Sequence, residues 1–259
     1  MTTTLDINTE GRIARVYLNR PEVRNAFNDG VITELADTFT RLAQDPDLRA
    51  IVLGGHGKAF CAGADLAWMR SMADYDWDQN RADATRLAEM LWAIYSSPLP
   101  VIGRIHGDCY AGGMGLAAAC DVLVAADGAH FCLSEARLGL LPATISPYVL
   151  RAMGEQAARR YFVTAERFSA AQARGLGFVH EVVAPEALDA KVDEIVALVV
   201  SNGPAAVKAC KRLVHDFANR EITPELRAET ARRIADARAS DEGREGVQAF
   251  LNKREPAWR

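Results

Sequence analysis

The chain has 259 residues, of which 49% are hydrophobic and 25% charged, and its mean hydropathy is close to zero. That is the make-up of an ordinary globular protein, large enough to hold its core without disulfide or metal staples. A net charge of −4 argues against sequence-independent nucleic-acid binding, which needs a basic footprint.

The amino terminus, Met1-Thr-Thr-Thr-Leu-Asp, has neither a basic nor an apolar segment of the kind that makes a signal peptide. Ile13 to Leu18 alternates and predicts a strand. Asn28-Asp29 then caps a helix whose Ile32, Leu35, Phe39 and Leu42 fall on one face, and Asp45-Pro46-Asp47 ends it. Ala50 to Leu53 is a short buried strand running into Gly54-Gly55-His56-Gly57. From Asp65 to Ser97 the pattern is helical, with a break at Tyr75-Asp76-Trp77. Pro98-Leu-Pro100 precedes a third strand, Val101 to His106. A glycine-rich turn and a small-residue helix follow, and Val122 to Ala126 and His130 to Leu133 give two more strands.

Strands joined by long helical crossovers predict a mostly parallel α/β core over residues 1–184. Past Pro185 no strand signal remains. Leu188, Val192, Ile195 and Val199 mark one helix, and three further helical segments reach Lys253, so residues 185–259 form a helical region. The most apolar stretches, such as Ala187 to Val200, carry charges too often to cross a bilayer. No membrane association and a cytoplasmic location are expected. The Arg- and Lys-rich part beyond Pro204 reads as a solvated helical face or, alternatively, as a contact for phosphates.

Cys61, Cys109, Cys120, Cys132 and Cys210 form no Cys-x-x-Cys and read as small buried hydrophobes. The five histidines are scattered without metal-ligand spacing, so no metal is expected.

Three places hold possible chemistry. Gly57-Lys-Ala-Phe-Cys-Ala-Gly-Ala-Asp65 joins a strand to a helix but lacks the Ser or Thr of a P-loop. It leaves a small-residue loop in which Ala64 stands just before a helix start, where amides are unpaired. Gly107-Asp-Cys-Tyr-Ala-Gly-Gly-Met-Gly115 is a second strand-to-helix turn, and Gly112 and Gly113 let backbone approach a ligand. Each turn alone also suits mere close packing, yet an oxyanion hole needs two convergent donors. Glu135, in Phe131-Cys-Leu-Ser-Glu-Ala-Arg-Leu-Gly-Leu-Leu-Pro142, follows an apolar strand. It reads either as an acid of raised pKa or as a Glu paired with Arg137.

The order Asn19-Arg-Pro21, Arg24-Asn-Ala26, Ala59-Phe-Cys-Ala-Gly-Ala-Asp65, Gly112-Gly113 and Ser134-Glu135 resembles the enoyl-CoA hydratase/isomerase (crotonase) superfamily over essentially the whole chain. The resemblance implies a crotonase, ClpP-like fold of repeated ββα units with a C-terminal helical region for trimerisation. It makes the amides of Ala64 and Gly112 an oxyanion hole for a thioester carbonyl and Glu135 the catalytic carboxylate. It places Ala26 and the loop Ala62 to Leu66, Asp65 included, along CoA, with Arg24 near its phosphates and Lys253 near a 3′-phosphate. It also implies an acyl-CoA substrate, no separate cofactor because CoA is part of the substrate, and a homotrimer or a hexamer made as a dimer of trimers.

One departure stands out. Hydratases of this superfamily carry a first glutamate 20 residues before the second, and Gly115 stands there (135 − 115 = 20). Glu135 alone then serves either hydration or Δ3,Δ2-enoyl-CoA isomerisation, and the oxyanion hole suits both. Leu133 to Tyr148 and Arg159 to Phe168 are similar to bacterial hydratases of leucine and acyclic-terpene breakdown that act on 3-methylglutaconyl-CoA or isohexenylglutaconyl-CoA. Those proteins share the Gly, which favours hydration. Arg137 and Arg70 are candidate partners for the extra carboxylate of such substrates. Trp68, Met69, Met72, Trp92 and Tyr148 shape either the acyl pocket or the core. A non-catalytic acyl-CoA- or RNA-binding role is the alternative of a different class.

Overall fold

The computed structural model describes residues 4–259. β1 (Leu5–Glu10) and β2 (Ile13–Leu18) pair antiparallel, and a 3-10 turn over Pro21–Val23 leads to α1 (Asp29–Ala43). The Asn28 side chain caps α1 by accepting from the Val31 amide, and Ile32, Leu35, Phe39 and Leu42 are buried along one face as their spacing predicts. β3 (Ala50–Gly55), β4 (Ala59–Cys61), α2 (Leu66–Met72) and α3 (Trp77–Tyr95) follow. The predicted helix break is real: Asp76 starts α3 with a reciprocal capping box to Gln79.

Next come β5 (Val101–Ile105), β6 (Asp108–Tyr110), α4 (Gly112–Ala118), β7 (Val122–Ala126), β8 (His130–Cys132) and a 3-10 turn over Glu135–Leu138. α5 (Ser146–Thr164) is interrupted at Gly154 and leads to β9 (Phe168–Ser169), α6 (Ala170–Gly175) and β10 (Glu181–Val183). The rest is helical: α7 (Leu188–Ser201), α8 (Pro204–Phe217), α9 (Pro224–Ala239) and α10 (Asp241–Leu251).

The strands form two sheets. The larger has the order β1-β2-β3-β5-β7-β10 and is parallel apart from β1. The smaller has the order β4-β6-β8-β9 and is parallel apart from β9. Three consecutive segments therefore place one strand in the large sheet, one in the small sheet, and then a helix: β3-β4-α2, β5-β6-α4 and β7-β8-α5. This is the repeated ββα architecture expected of the chain.

The sequence reading missed β1, β4, β6, β9 and β10. β4 and β6 are three-residue strands inside the two small-residue loops, too short for any periodicity to register. β1 is an edge strand with little of its surface buried, so its polar residues hide it.

The central strands β3, β5 and β7 of the large sheet are buried on both faces, which explains their unbroken apolar runs. One face joins the main core with α1 and α3, through residues such as Leu35, Phe39, Met90 and Ile94. On the other, Ala50, Val52, Ile102 and Val124 pack against Leu188, Val192 and Val196 of α7. Each such aliphatic side chain contributes about 1.5–3 kcal/mol on burial. The helical region thus begins as a layer of the core. α8 is tied down by Lys211, which donates to Asp121 at 2.7 Å and to the Leu99 carbonyl at 3.1 Å.

Between α8, α9 and α10 runs an apolar groove of about 850 Å³ lined by residues such as Leu213, Phe217, Ile234 and Val247. Cys210 lies on it and is exposed, unlike the buried Cys61, Cys109 and Cys132. Several basic residues of this region are ion-paired, as on a solvated face: Arg233 bridges Asp216 and Glu229, and Arg254 pairs with Glu245.

Candidate active site

The two small-residue turns leave neighbouring strands of the small sheet. β4 and β6 pair in parallel, with Ala59 opposite Asp108 and Cys61 opposite Cys109. The chain continues past Cys61 through Gly63, whose φ of +94° suits glycine; a Cβ there would lie 3.0 Å from Ala111 Cβ and 3.7 Å from the Gly112 nitrogen. The two turns therefore touch.

Ala64 forms a parallel bridge with Phe27. The Phe27 amide donates to the Gly63 carbonyl at 2.9 Å, and the Asp65 amide donates to the Phe27 carbonyl at 3.0 Å. That pattern uses the polar groups on either side of Ala64 and leaves its own N–H turned away from Phe27 and without an acceptor among the described residues.

Gly112 opens α4, and its N–H likewise has no acceptor among the described residues. Just before it, Ala111 adopts φ +47° and ψ −121°, a conformation costly for a residue with a Cβ. The surroundings enforce it, because the Ala111 amide donates to the Cys132 carbonyl at 2.8 Å while its own carbonyl accepts from Met114 at 2.9 Å. Phe27 closes the floor: a Cβ on Gly112 would stand 2.2 Å from Phe27 Cζ. Two free amides on adjoining turns are what an oxyanion site requires.

Glu135 begins the 3-10 turn that follows β8, the next strand of the small sheet. Its Oε2 is buried and has no hydrogen-bond partner. Burial raises its pKa from the ordinary 4.5 against a smaller lowering by its own backbone amide. The alternative of an ion-paired Glu135 is overturned, because Arg137 donates instead to the Ala165 carbonyl. An acid with an orphaned, desolvated oxygen holds a proton more readily than an ordinary carboxylate and is a candidate for proton exchange.

Gly115 lies on α4 with no room for a side chain. A Cβ there would meet Ile145 Cγ2 at 2.2 Å and Ile145 Cβ at 2.8 Å, with Leu91 Cδ2 at 3.5 Å. Ile145, 2% exposed at the start of α5, fills the place a first glutamate would need.

The other residues singled out in the sequence fall into two groups. Ala26, Ala62, Asp65 and Leu66 border the first turn: Ala62 donates to the Arg24 carbonyl at 3.0 Å, and the Ala26 carbonyl accepts from Arg20. The Asp65 side chain is buried and fully engaged, capping α2 through the amides of Ala67 and Trp68 and pairing with Arg20 at 2.8 Å. Desolvation opposes its ionisation, but Arg20 and the two amides prevail and its pKa is lowered. Leu66, by contrast, is 77% exposed beside them. Arg24 is exposed, in the left-handed region at φ +54°, and reaches Asp108 at 3.9 Å. Lys253 is exposed just past the end of α10 and is not drawn into these turns by any hydrogen bond or ion pair among the described residues.

Asn25 and Arg20 were not recognised as organisers of the site. Asn25, 1% exposed, donates to the carbonyls of His56 and Ala59 and accepts from the Arg20 amide, stapling the segment before α1 to the start of β4. The sequence signal was present in the run Arg20 to Phe27, where polar residues sit among apolar ones. Of the five residues weighed as pocket or core, Trp68 is buried, Met69, Met72 and Tyr148 are half-buried, and Trp92 is exposed. Among the described residues no group of His, Cys, Asp and Glu is arranged to hold a metal, and no helix is long and apolar enough to cross a membrane.

Residues 8–259 match the family model described as enoyl-CoA hydratase/isomerase. The crotonyl-CoA hydratase of Syntrophomonas wolfei is 31% identical over 250 residues, covering 96% of this chain and 95% of that protein. Among solved structures, an enoyl-CoA hydratase from Shewanella pealeana superposes with a TM-score of 0.95 at 39% identity, covering 98% of this chain and 96% of that one. An enoyl-CoA hydratase from Mycobacterium smegmatis gives 0.93 at 37% identity, with 98% of each chain covered.

Proposed function

This chain belongs to the enoyl-CoA hydratase/isomerase family, and we propose that within it the protein is an enoyl-CoA hydratase working with one catalytic carboxylate on a branched or carboxylated thioester such as 3-methylglutaconyl-CoA. The observation that carries the reading is Glu135, a half-buried acid with one buried and unpaired oxygen, set just after β8 in the sheet whose strands β4 and β6 lead into two turns with free amides.

In the proposed reaction the thioester oxygen lies between the N–H groups of Ala64 and Gly112. Glu135 takes a proton from water as the water oxygen bonds to Cβ. The double-bond electron pair moves through Cα into the carbonyl, and the two amides hold the resulting enolate oxygen. The proton on Glu135 then passes to Cα, so one water is added and nothing else is consumed. Removing one such amide donor typically costs roughly 3–4 kcal/mol in the barrier. Gly115 and Ile145 leave no second acid, so Glu135 handles both proton transfers.

For binding, the loop Ala62 to Leu66 is proposed to line CoA, with exposed Leu66 offering an apolar edge to adenine. The part of Asp65 is indirect, since its side chain holds α2 and Arg20 in place. Arg24 is exposed beside this loop and is proposed to meet phosphate, with Lys253 a further contact. The apolar groove of α8, α9 and α10 is proposed as subunit contact in a homotrimer or a hexamer.

The test is product analysis by mass spectrometry on crotonyl-CoA, 3-methylglutaconyl-CoA and a β,γ-enoyl-CoA, with the unaltered protein beside Glu135→Gln. Gain of one water on an α,β-enoyl substrate, lost in the variant, is the expected result. Undiminished hydration by the variant would overturn the assignment of Glu135. Double-bond migration without gain of water, resolved chromatographically, would make the enzyme an isomerase.

A further inference from the structure

Four side-chain atoms among the described residues are buried without a hydrogen-bond partner: one nitrogen each of Arg49 and His106, Glu135 Oε2, and the indole Nε1 of Trp68. Glu135 has been accounted for by its chemistry. Trp68 stands in the same neighbourhood and has no role in the proton transfers.

Trp68 lies on the first turn of α2, 9% exposed, with its backbone amide 3.3 Å from the Asp65 carboxylate that caps the helix. Its ring packs on Phe27 with centroids 6.1 Å apart and an interplanar angle of 57°. Phe27 in turn is bridged to Ala64 through its backbone and lies under Gly112 through its ring. The indole is thus one ring removed from both oxyanion amides.

The indole ring is used in packing on Phe27, but its N–H is not, and an N–H left without an acceptor is a net cost to the fold. Moreover, Arg137, one of the two cations considered for a distal carboxylate, is committed to the Ala165 carbonyl, and Arg70 is exposed in the last turn of α2.

We propose that the Trp68 indole N–H is a specificity-determining donor for an oxygen acceptor carried on the acyl chain, so that the site favours thioesters bearing a carboxylate beyond the reacting carbons. The inference rests on the reading of Ala64, Gly112 and Glu135 as an acyl-thioester site and names the substrate feature that the site selects.

The experiment is calorimetric binding of glutaryl-CoA and butyryl-CoA, saturated thioesters with and without a distal carboxylate, to the full-length protein and to Trp68→Phe. The variant should weaken glutaryl-CoA by about 10- to 100-fold, the range for a hydrogen bond to a charged acceptor. It should weaken butyryl-CoA far less, so that the ratio of the two affinities reads the indole N–H, while a thermal melt of the variant reports its fold. Equal losses for both ligands, or none for either, would overturn the proposal.

A measurement on the unaltered chain guards against a poorly folded variant. One of its four indole N–H proton resonances should move downfield with glutaryl-CoA and stay in place with butyryl-CoA, and no such movement also overturns it. Selective glutaryl-CoA binding by a protein that hydrates no enoyl-CoA would sink the hydratase reading and leave Trp68 standing. Hydration of crotonyl-CoA with no selectivity at Trp68 would do the reverse.

Discussion

Replacing Gly115 by alanine sets two well-characterised effects against each other. In a helix, alanine is favoured over glycine by about 1 kcal/mol, so on α4 alone the change would stabilise. The added Cβ, however, would lie 2.2 Å from Ile145 Cγ2 and 2.8 Å from Ile145 Cβ. Ile145 is 2% exposed, and its Cβ moves only with the backbone at the start of α5, so the contact is not relieved by a rotamer change. Overpacking of this kind costs about 1–3 kcal/mol, and with two close atoms the upper end applies. The net expectation is a loss of about 2 kcal/mol, read as a lower urea midpoint at unchanged slope. In an Ile145→Gly background both offending atoms are gone, and Gly115→Ala should then stabilise by about 1 kcal/mol, a coupling near 3 kcal/mol across the cycle. A gain in stability from Gly115→Ala in the otherwise unaltered chain would refute the packing argument. The same geometry predicts that Gly115→Glu alone does not create a two-carboxylate enzyme.

Glu135→Gln should trade activity for stability. Because burial raises the folded-state pKa of Glu135 above its ordinary 4.5, the stability this group supplies is present below that value and is lost as pH rises through the raised one. The variant should therefore match the unaltered protein in acid and exceed it at neutral pH in thermal or urea melts; a variant less stable at pH 7 would contradict this. As the proposed base, Glu135 also sets the acid limb of kcat/KM, which should fall below a pH higher than an ordinary carboxylate would give. Gly112→Ala drives a Cβ to 2.2 Å from Phe27 Cζ and must displace the turn, so hydration should drop about 100- to 1000-fold, checked by steady-state kinetics beside a melting curve.

The long elements were legible because burial writes a period into the sequence. The face of α1, the capped break before α3, and the apolar runs of β3, β5 and β7 all follow from local pattern. Of the small sheet only β8 was legible, from His130 to Leu133. β4 and β6 contribute three residues apiece and lie among glycines and alanines whose pairing is decided by tertiary contact. Ala64, Gly112 and Glu135 could be marked by motif and spacing, but three facts could not be read. One is that Arg137 turns to Ala165, another that Asp65 is consumed by its cap and by Arg20, and the third that Ile145 occupies the space above Gly115. Apart from the local cap of Asp65, each depends on a contact between segments distant in the chain.

Ala64, Gly112 and Glu135 follow β4, β6 and β8, three consecutive strands of the small sheet. Neighbouring strands stand about 4.8 Å apart, so the spacing of the three groups is set by the lattice of backbone hydrogen bonds and not by the loops between repeats. The proposed catalytic centre therefore behaves like three teeth cut on one ruler. Lengthening the α2–α3 connection or the turn at Gly154 changes what surrounds the teeth, while losing one residue from 62 to 64 slides a tooth off its mark. Evolution of new acyl preferences can proceed in the helices with the ruler left untouched.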